Sequence, residues 1–248
     1  MSGLVNRISQ NLKNPQKGLV GWWLVNSAFK KRNAYLEENA ARLCNIQPDH
    51  RVLEIGFGPG SGLKAACEYV NDGNGKIHGV DISEYMVEHA TKSCHQLIQQ
   101  NKLQILLSSV HHMPFNTDTF DRVFHVNSYY FWPSMKSSLR EIYRVMKPGA
   151  MMVTTLNLHR LKIMQSKGYF QHGNFDPLKY MVALEKSGFE NVRIEYLKDS
   201  LYDDKKPYQA IFAEIKEKPA YDEEFEDVEY EENLDIQKNE KSDDSKPL

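Results

Sequence analysis

Apolar residues follow two different patterns along the chain. Between residues 48 and 215, short apolar runs recur, and such runs are typical of buried strands in a parallel sheet. They predict seven strands, at Arg51–Ile55, Lys76–Asp81, Leu103–Leu107, Asp121–Val126, Met151–Leu156, Val192–Tyr196 and Ala210–Ile215. Most of the intervals carry apolar residues at helical spacing, in Gly62–Val70 and after the capping residues Ser83, Ser134 and Asp176.

This alternation predicts an α/β fold. Repeated strand–helix units form a mostly parallel sheet with helices on both faces, which is a three-layer sandwich. The last two strands have no helical pattern between them, which indicates an antiparallel edge strand. We therefore expect one α/β domain over residues 48–216.

The first 47 residues are predicted to form an N-terminal helical cap segment. Apolar residues recur at helical spacing over Ser27–Leu43, just after Trp22 and Trp23. The segment has no acid before Glu37 and is basic. Three roles fit this pattern: part of the wall of a binding pocket, plain packing on the outer helices, or contact with a membrane surface.

Charge divides the chain into two unlike parts. Residues 217–248 contain 13 acids and four lysines, so they carry a net charge of −9, whereas the rest carries +7. The acidic part has too little apolar material to fold alone and is predicted to be a disordered tail. The three cysteines have no metal-ligand spacing, and there is no apolar leader or membrane-length apolar run, which together favour a cytoplasmic protein.

The glycine-rich turn of Val52–Gly60, followed by the strand end Gly79–Ile82, predicts a nucleotide-sized crevice. Glycines let a ligand approach the backbone, and an acid at the next strand end, Asp81, can accept hydrogen bonds from a ribose diol. A dinucleotide fingerprint is incomplete because its third small residue is replaced by Ser61, and Pro59 removes an N–H that a pyrophosphate would use.

The pattern Glu54-x-Gly56-x-Gly58-x-Gly60, with Asp81 in register, resembles the class I S-adenosylmethionine-dependent methyltransferases. Within that class the similarity is to the ubiquinone/menaquinone-biosynthesis and sterol-like group. The resemblance implies a Rossmann-like methyltransferase sheet and S-adenosylmethionine as cofactor. It also implies a set of cofactor-binding residues: Glu54, Gly56, Gly58, Gly60, Asp81, Ile82, Ser109 and Val110.

A second stretch carries the same resemblance. Met113–Phe115 and Thr119–Asp121 are similar to the Leu-Pro-Phe and Ser-Phe-Asp segments of the family. One departure lies after the third strand, where the family often has Gly-Asp-Ala and this chain has Ser108-Ser109-Val110. Ser109 can accept one hydrogen bond from an adenine amino group but carries no charge.

Catalytic residues are harder to predict, because methyl transfer depends mainly on alignment and exclusion of water. The family's acceptor site lies after the fourth strand, so His125, Tyr129 and Tyr130 are weak candidates for bases or orienting groups. Asn127 is followed by Ser128 and Tyr129 instead of the two prolines common in enzymes that methylate planar amino groups. No metal site is predicted, since the adjacent pair His111–His112 lacks a third ligand.

We therefore expect methyl transfer to a small-molecule acceptor, at oxygen or carbon. A nucleic-acid partner is not favoured, although the basic body leaves an RNA- or protein-directed methyltransferase as an alternative. The replacement at Ser109 leaves a third, a catalytically silent binding protein of the same fold.

Overall fold

Seven strands form one central sheet. The computed structural model describes residues 2–29, 32–170, 175–202 and 205–218. The strands are β1 (Arg51–Ile55), β2 (Lys76–Asp81), β3 (Leu103–Leu107), β4 (Phe120–Val126), β5 (Met146–Leu156), β6 (Glu190–Lys198) and β7 (Pro207–Glu214).

The strand order is β3-β2-β1-β4-β5-β7-β6. The first five strands in this order are parallel, and Ile55 at the end of β1 is level with Val80 of β2 and His125 of β4. β7 runs antiparallel to both β5 and the edge strand β6. The expected fold class is confirmed, and the carboxyl ends of five strands meet at one edge of the sheet.

The described residues contain nine α-helices: α1 (Ser2–Lys13), α2 (Leu19–Trp23), α3 (Ala34–Leu43), α4 (Ser61–Tyr69), α5 (Glu84–Ser93), α6 (His95–Gln99), α7 (Met135–Val145), α8 (Leu158–Ser166) and α9 (Pro177–Lys186). A π-helical segment, Leu24–Phe29, continues α2, and a 3₁₀ turn follows β4 at Tyr129–Phe131. The predicted caps are present, because Ser83, Ser134 and Asp176 each accept a backbone hydrogen bond at a helix start.

Two apolar clusters cover the two faces of the sheet. Successive strand residues point to opposite faces, so Leu53 belongs to the cluster that includes residues of α7 and α9, and Val52 to the cluster with α3, α4 and α5. Both side chains are fully buried. Burial of the sheet on both faces explains why its strands read as continuous apolar runs.

Several helix limits differ from the prediction. Within the helix expected over Ser27–Leu43, the described structure has a π-helical segment that ends at Phe29 and the helix α3 that begins at Ala34; residues 30 and 31 lie outside the described ranges. The apolar positions after Ser83 predict a helix that continues to Ile98, whereas the helix ends at Ser93 and α6 follows as a separate helix after Cys94. The helix capped by Ser134 was expected to stop at Lys147–Gly149; it ends at Val145, and Lys147–Gly149 already lie in β5. α1 and α8 were not predicted.

The N-terminal segment leaves two large aromatic rings in solvent. Trp22 is 61% and Trp23 is 50% exposed, and neither lines the cavity described below. Trp22 and Trp23 thus take no part in the wall of that cavity, whereas Leu12 and Phe29 of the same segment line it. No helix in the described ranges has the length and apolar character needed to cross a bilayer. The acidic tail lies outside the described residues from 219 onward, and the limits 1–47, 48–216 and 217–248 stay predictions.

Candidate functional site

The glycine turn joins β1 to α4 at the carboxyl edge of the sheet. Gly56, Gly58 and Gly60 have φ angles of +70°, +52° and +90°, which lie in the left-handed region that glycine adopts without strain. A Cβ on Gly56 would lie 3.2 Å from the Cβ of Ser128. A Cβ on Gly58 would meet no atom within 4 Å, so the backbone there is open to a ligand.

Asp81, at the end of β2, holds this turn in place. Its Oδ2 accepts a hydrogen bond from the Gly58 N–H at 3.0 Å, and its Oδ1 accepts one from the Ser83 N–H at 2.9 Å. Ser83, not Asp81, caps α5, since its hydroxyl accepts from the Met86 N–H. Burial raises the pKa of Asp81 to about 6. The carboxylate is thus a buried acceptor with lone pairs left for a ligand.

A cavity opens above the carboxyl ends of β1, β2, β4 and β5. Its volume is about 1230 Å³ including the open mouth. Its wall includes apolar side chains from the N-terminal segment, from the turn after β4 and from α8 and the residues that follow it: Leu12, Phe29, Tyr130, Phe131, Trp132, Leu161, Met164 and Phe170. These apolar side chains share one concave site with the glycine turn and Asp81.

Six of the eight cofactor residues expected from the sequence lie on the wall of this cavity. They are Gly56, Gly58, Asp81, Ile82, Ser109 and Val110. The other two, Glu54 and Gly60, do not line it. A Cβ on Gly60 would face Ala90 of α5, so this glycine serves the packing of the turn on that helix.

Glu54 lies behind the turn and forms a buried carboxylate pair with Glu37 of α3. Glu37 lines the cavity, whereas Glu54 is 1% exposed. One oxygen of each, Oε2, is buried and has no hydrogen-bond partner among the described residues. Burial raises the pKa of Glu37 to about 7, and burial together with the charge of Glu37 raises the pKa of Glu54. Glu37 was not predicted as a site residue. The one signal in the sequence was its position as the first acidic residue of the chain, after a basic segment.

His125 is part of the core and does not line the cavity. Its Nε2 lies 2.8 Å from the hydroxyls of Tyr180 and Thr154, and its Nδ1 lies 3.0 Å from that of Ser128. Complete burial lowers its pKa to about 3. The ring is therefore neutral and fully engaged, and the expectation that it could act as a base in the site is not supported by its position.

Tyr129 and Tyr130 differ in their surroundings. The Tyr129 hydroxyl donates to the Phe175 carbonyl at 2.7 Å, and its ring stacks on Tyr180 with centroids 4.1 Å apart. Tyr129 is therefore a core residue. Tyr130 lines the cavity, but burial raises the pKa of its phenol, so it stays protonated near neutral pH. Of the three expected catalytic residues, Tyr130 alone reaches the cavity.

Asn127, which the sequence placed in the stretch after the fourth strand without a role, adds a polar group to the site. It lines the cavity at the end of β4 with a φ of +50°, and its Oδ1 is buried without a partner among the described residues. Buried polar groups without partners are costly and rare, so this atom is a candidate ligand contact. In the described ranges no three His, Cys, Asp or Glu side chains converge as a metal ion requires.

The fold and the site have the features expected of class I S-adenosylmethionine-dependent methyltransferases, and comparison with known proteins supports this class. Residues 53–154 match the family model of a methyltransferase domain. The curated relatives that match this part of the chain are themselves methyltransferases.

Curated relatives include a methyltransferase of unassigned function, YdaC of Bacillus subtilis, which is 26% identical over 58% of this chain and 74% of its own length. A 24-methylenesterol C-methyltransferase of Oryza sativa is 27% identical over 50% of this chain and 34% of its own. A sterol 24-C-methyltransferase of Clavispora lusitaniae is 29% identical over 49% and 32%. The matched part thus spans about a third of these sterol enzymes.

Solved structures share the fold at low sequence identity. A methyltransferase of Aquifex aeolicus aligns with a TM-score of 0.57 and 18% identity, over 76% of this chain and 95% of its own. The phosphoethanolamine N-methyltransferase 2 of Haemonchus contortus, solved with S-adenosylmethionine, aligns with a TM-score of 0.62 and 16% identity, over 85% and 60%. These similarities extend the fold assignment beyond residues 53–154.

Gly58→Ala should weaken binding of S-adenosylhomocysteine at least tenfold, because its methyl group would project where the ligand approaches the backbone. The matched control is Gly149→Ala, since Gly149 also has a left-handed φ, +78°, has no atom within 4 Å of the position that a Cβ would take, and does not line the cavity. Both variants should lose a similar stability of about 1 kcal/mol. Calorimetric titration and thermal melting measure the two effects, and equal affinities in the two variants would contradict the assignment.

Proposed function

We propose that the adenosine part of S-adenosylmethionine binds over the carboxyl ends of β2 and β3. Two accepted hydrogen bonds from ribose hydroxyls would satisfy the remaining lone pairs of Asp81. Ile82 is 42% exposed and offers an apolar face for the adenine ring. Ser109 and Val110 line the same part of the cavity, and the Ser109 hydroxyl can accept from the adenine amino group.

Glu37 is proposed to bind the ammonium group of the cofactor's methionine part. It lines the cavity, and its Oε2 has no partner in the described structure. An ammonium ion beside it would lower its pKa from about 7 and favour the ionised form. Glu54, behind the turn, is then a neighbour that shares the proton of the pair and braces the turn near Gly62.

The acceptor is proposed to be a small molecule that is methylated at oxygen or carbon. Bound S-adenosylmethionine supplies an electrophilic methyl group on its sulfonium sulfur. The chain holds the two reactants in position and excludes water from the cavity. Three consecutive aromatic residues, Tyr130, Phe131 and Trp132, line the wall together with Phe29. Their faces can also stabilise positive charge that develops on a carbon acceptor. The similarity to sterol C-methyltransferases supports this class of acceptor.

One assay tests the acceptor class. Purified protein and S-adenosylmethionine with a labelled methyl group are incubated separately with lipid-soluble metabolites, RNA and protein from an extract. We expect label in the metabolite fraction, and at least tenfold less with Gly58→Ala. Label in RNA or protein would favour those acceptors instead, and label in no fraction despite cofactor binding would favour a silent binding protein.

Binding of the cofactor's adenosine part should depend on pH through Asp81. The ligand 5′-methylthioadenosine isolates this effect, because it lacks the amino-acid group of the cofactor. As pH falls through about 6, Asp81 gains a proton and loses acceptor capacity, so affinity should fall. Asp81→Asn should bind on the order of tenfold to a hundredfold more weakly than the wild type at pH 7.5, with no change between pH 7 and 5. Asp121→Asn is the matched control, since Asp121 accepts a backbone hydrogen bond from Arg51 away from the cavity.

S-adenosylhomocysteine should show an additional loss of affinity as pH falls through about 7, because Glu37 then gains a proton. Glu37→Gln should remove this step and weaken S-adenosylhomocysteine while leaving 5′-methylthioadenosine unchanged. If both ligands lose affinity equally in Glu37→Gln, or if the wild-type profiles are identical, the assignment of the ammonium site is wrong.

The N-terminal segment is proposed to contact an anionic membrane surface. Leu19 is 88% exposed, beside Trp22 and Trp23, and residues 1–36 contain no acid but six Lys and Arg. Leu12 and Phe29 of the same segment line the cavity. This combination supports delivery of a lipid-soluble acceptor from the bilayer.

Trp22→Ala with Trp23→Ala should reduce cosedimentation with phosphatidylglycerol vesicles at least fivefold, because the exposed rings would no longer insert at the interface. S-adenosylhomocysteine affinity and melting temperature should stay unchanged. The control is Leu178→Ala with Tyr196→Ala, which removes two side chains that are 66% and 72% exposed elsewhere. Equal vesicle binding by both double variants would contradict the proposal.

A further inference from the structure

Arg160 is a cation on the wall of the cavity. It lies in the first turn of α8, where its backbone N–H donates to the side chain of Asn157. Its Nη1 donates to the Arg32 carbonyl at 3.2 Å and to Asn33 Oδ1 at 2.8 Å. Both partners are neutral, and Arg160, Asn33 and Asn157 all line the cavity.

Three features of this position disfavour a positive charge. Burial and the nearby charge of Arg32 lower the pKa of the Arg160 guanidinium. Arg160 lies in the first turn of α8, which is the positive end of the helix dipole. That turn contains no acidic residue to offset the charge of the guanidinium. Within the described ranges, no carboxylate forms an ion pair with Arg160.

The guanidinium retains unused donors. Arginine has five N–H groups in a planar fork that matches an oxyanion. In the described structure, Nε and Nη2 of Arg160 make no hydrogen bond. A bound anion would therefore satisfy these donors and offset the cost of the buried charge.

We propose that Arg160 binds an acidic group of a ligand in the cavity, a carboxylate, phosphate or sulfonate, and that the acceptor is an amphiphile with an apolar body. This inference rests on the proposed function. Leu161 and Met164 of the same helix also line the cavity, and this apolar wall favours an acceptor with an apolar body as the source of the anion. The second source is the carboxylate of the cofactor's methionine part.

Two fluorescent probes that share an apolar body test the site in protein saturated with S-adenosylhomocysteine. 1-Anilinonaphthalene-8-sulfonate carries an acidic group, and N-phenyl-1-naphthylamine is its neutral counterpart. Arg160→Gln should weaken the sulfonate at least tenfold and the neutral probe less than twofold, and Arg160→Lys should restore part of the affinity. Lys162→Gln, an exposed cation of the same helix, should change neither probe.

The two sources of the anion give different results. If the cofactor's carboxylate is the ligand, Arg160→Gln weakens S-adenosylhomocysteine tenfold, leaves 5′-methylthioadenosine unchanged and has no effect on the sulfonate. Wild-type affinities for all of these ligands in Arg160→Gln would overturn the proposal. If Arg160→Gln does not fold, competition in the wild type decides: decanoate should displace the sulfonate at least tenfold better than decanol, and equal displacement would overturn the proposal.

Failure of the proposed function gives a separate result. A wild-type protein that does not bind S-adenosylhomocysteine contradicts the cofactor assignment. The probes can then be compared without cofactor, and a tenfold selective loss of the sulfonate in Arg160→Gln would still support the anion site.

Discussion

Asp81, at the carboxyl end of β2, connects three segments at the cofactor side of the cavity. The carboxylate of Asp81 accepts hydrogen bonds from the Gly58 and Ser83 N–H groups, and its carbonyl accepts one from Ser108 after β3. The Ser83 hydroxyl in turn donates to the carbonyl of Pro15 in the N-terminal segment. The glycine turn, the start of α5 and the loop after β3 are therefore hydrogen-bonded to a single buried acid, and Ser83 links the N-terminal segment to them. The same acid is the group proposed to bind the ribose, so loop geometry and cofactor binding depend on one carboxylate.

The parts of the structure that depend on residues close together in the chain could be predicted from the sequence. β1, β2 and β3 begin and end as predicted because short apolar runs between polar turns have few alternatives in a buried parallel sheet. The glycine turn and Asp81 could also be located from the sequence. The turn needs backbone φ angles that glycine adopts, and the position of Asp81 is set by the end of its own strand. Helix limits were less accurate: the apolar positions after Ser83 continue past Cys94, yet the structure has two separate helices, α5 and α6, on either side of that residue.

The rest of the site depends on contacts between distant segments. Glu37 reaches the glycine turn because α3 packs on α4, and Arg160 reaches the cavity because α8 follows directly from β5. Neither residue belongs to a local motif. His125 shows the opposite case: it follows the pattern of a site residue at the end of β4, yet its side chain points into the core toward Tyr180 of α9. The cavity wall thus combines a glycine turn and a strand end defined by local sequence with side chains that tertiary packing brings to it.

A crystal structure of the protein grown with S-adenosylhomocysteine tests the central claim most directly. The account predicts both ribose hydroxyls within hydrogen-bond distance of the Asp81 carboxylate, the adenine ring against Ile82, and the ammonium group beside Glu37. A ligand bound in this cavity without contact to Asp81, or bound elsewhere on the protein, would contradict it.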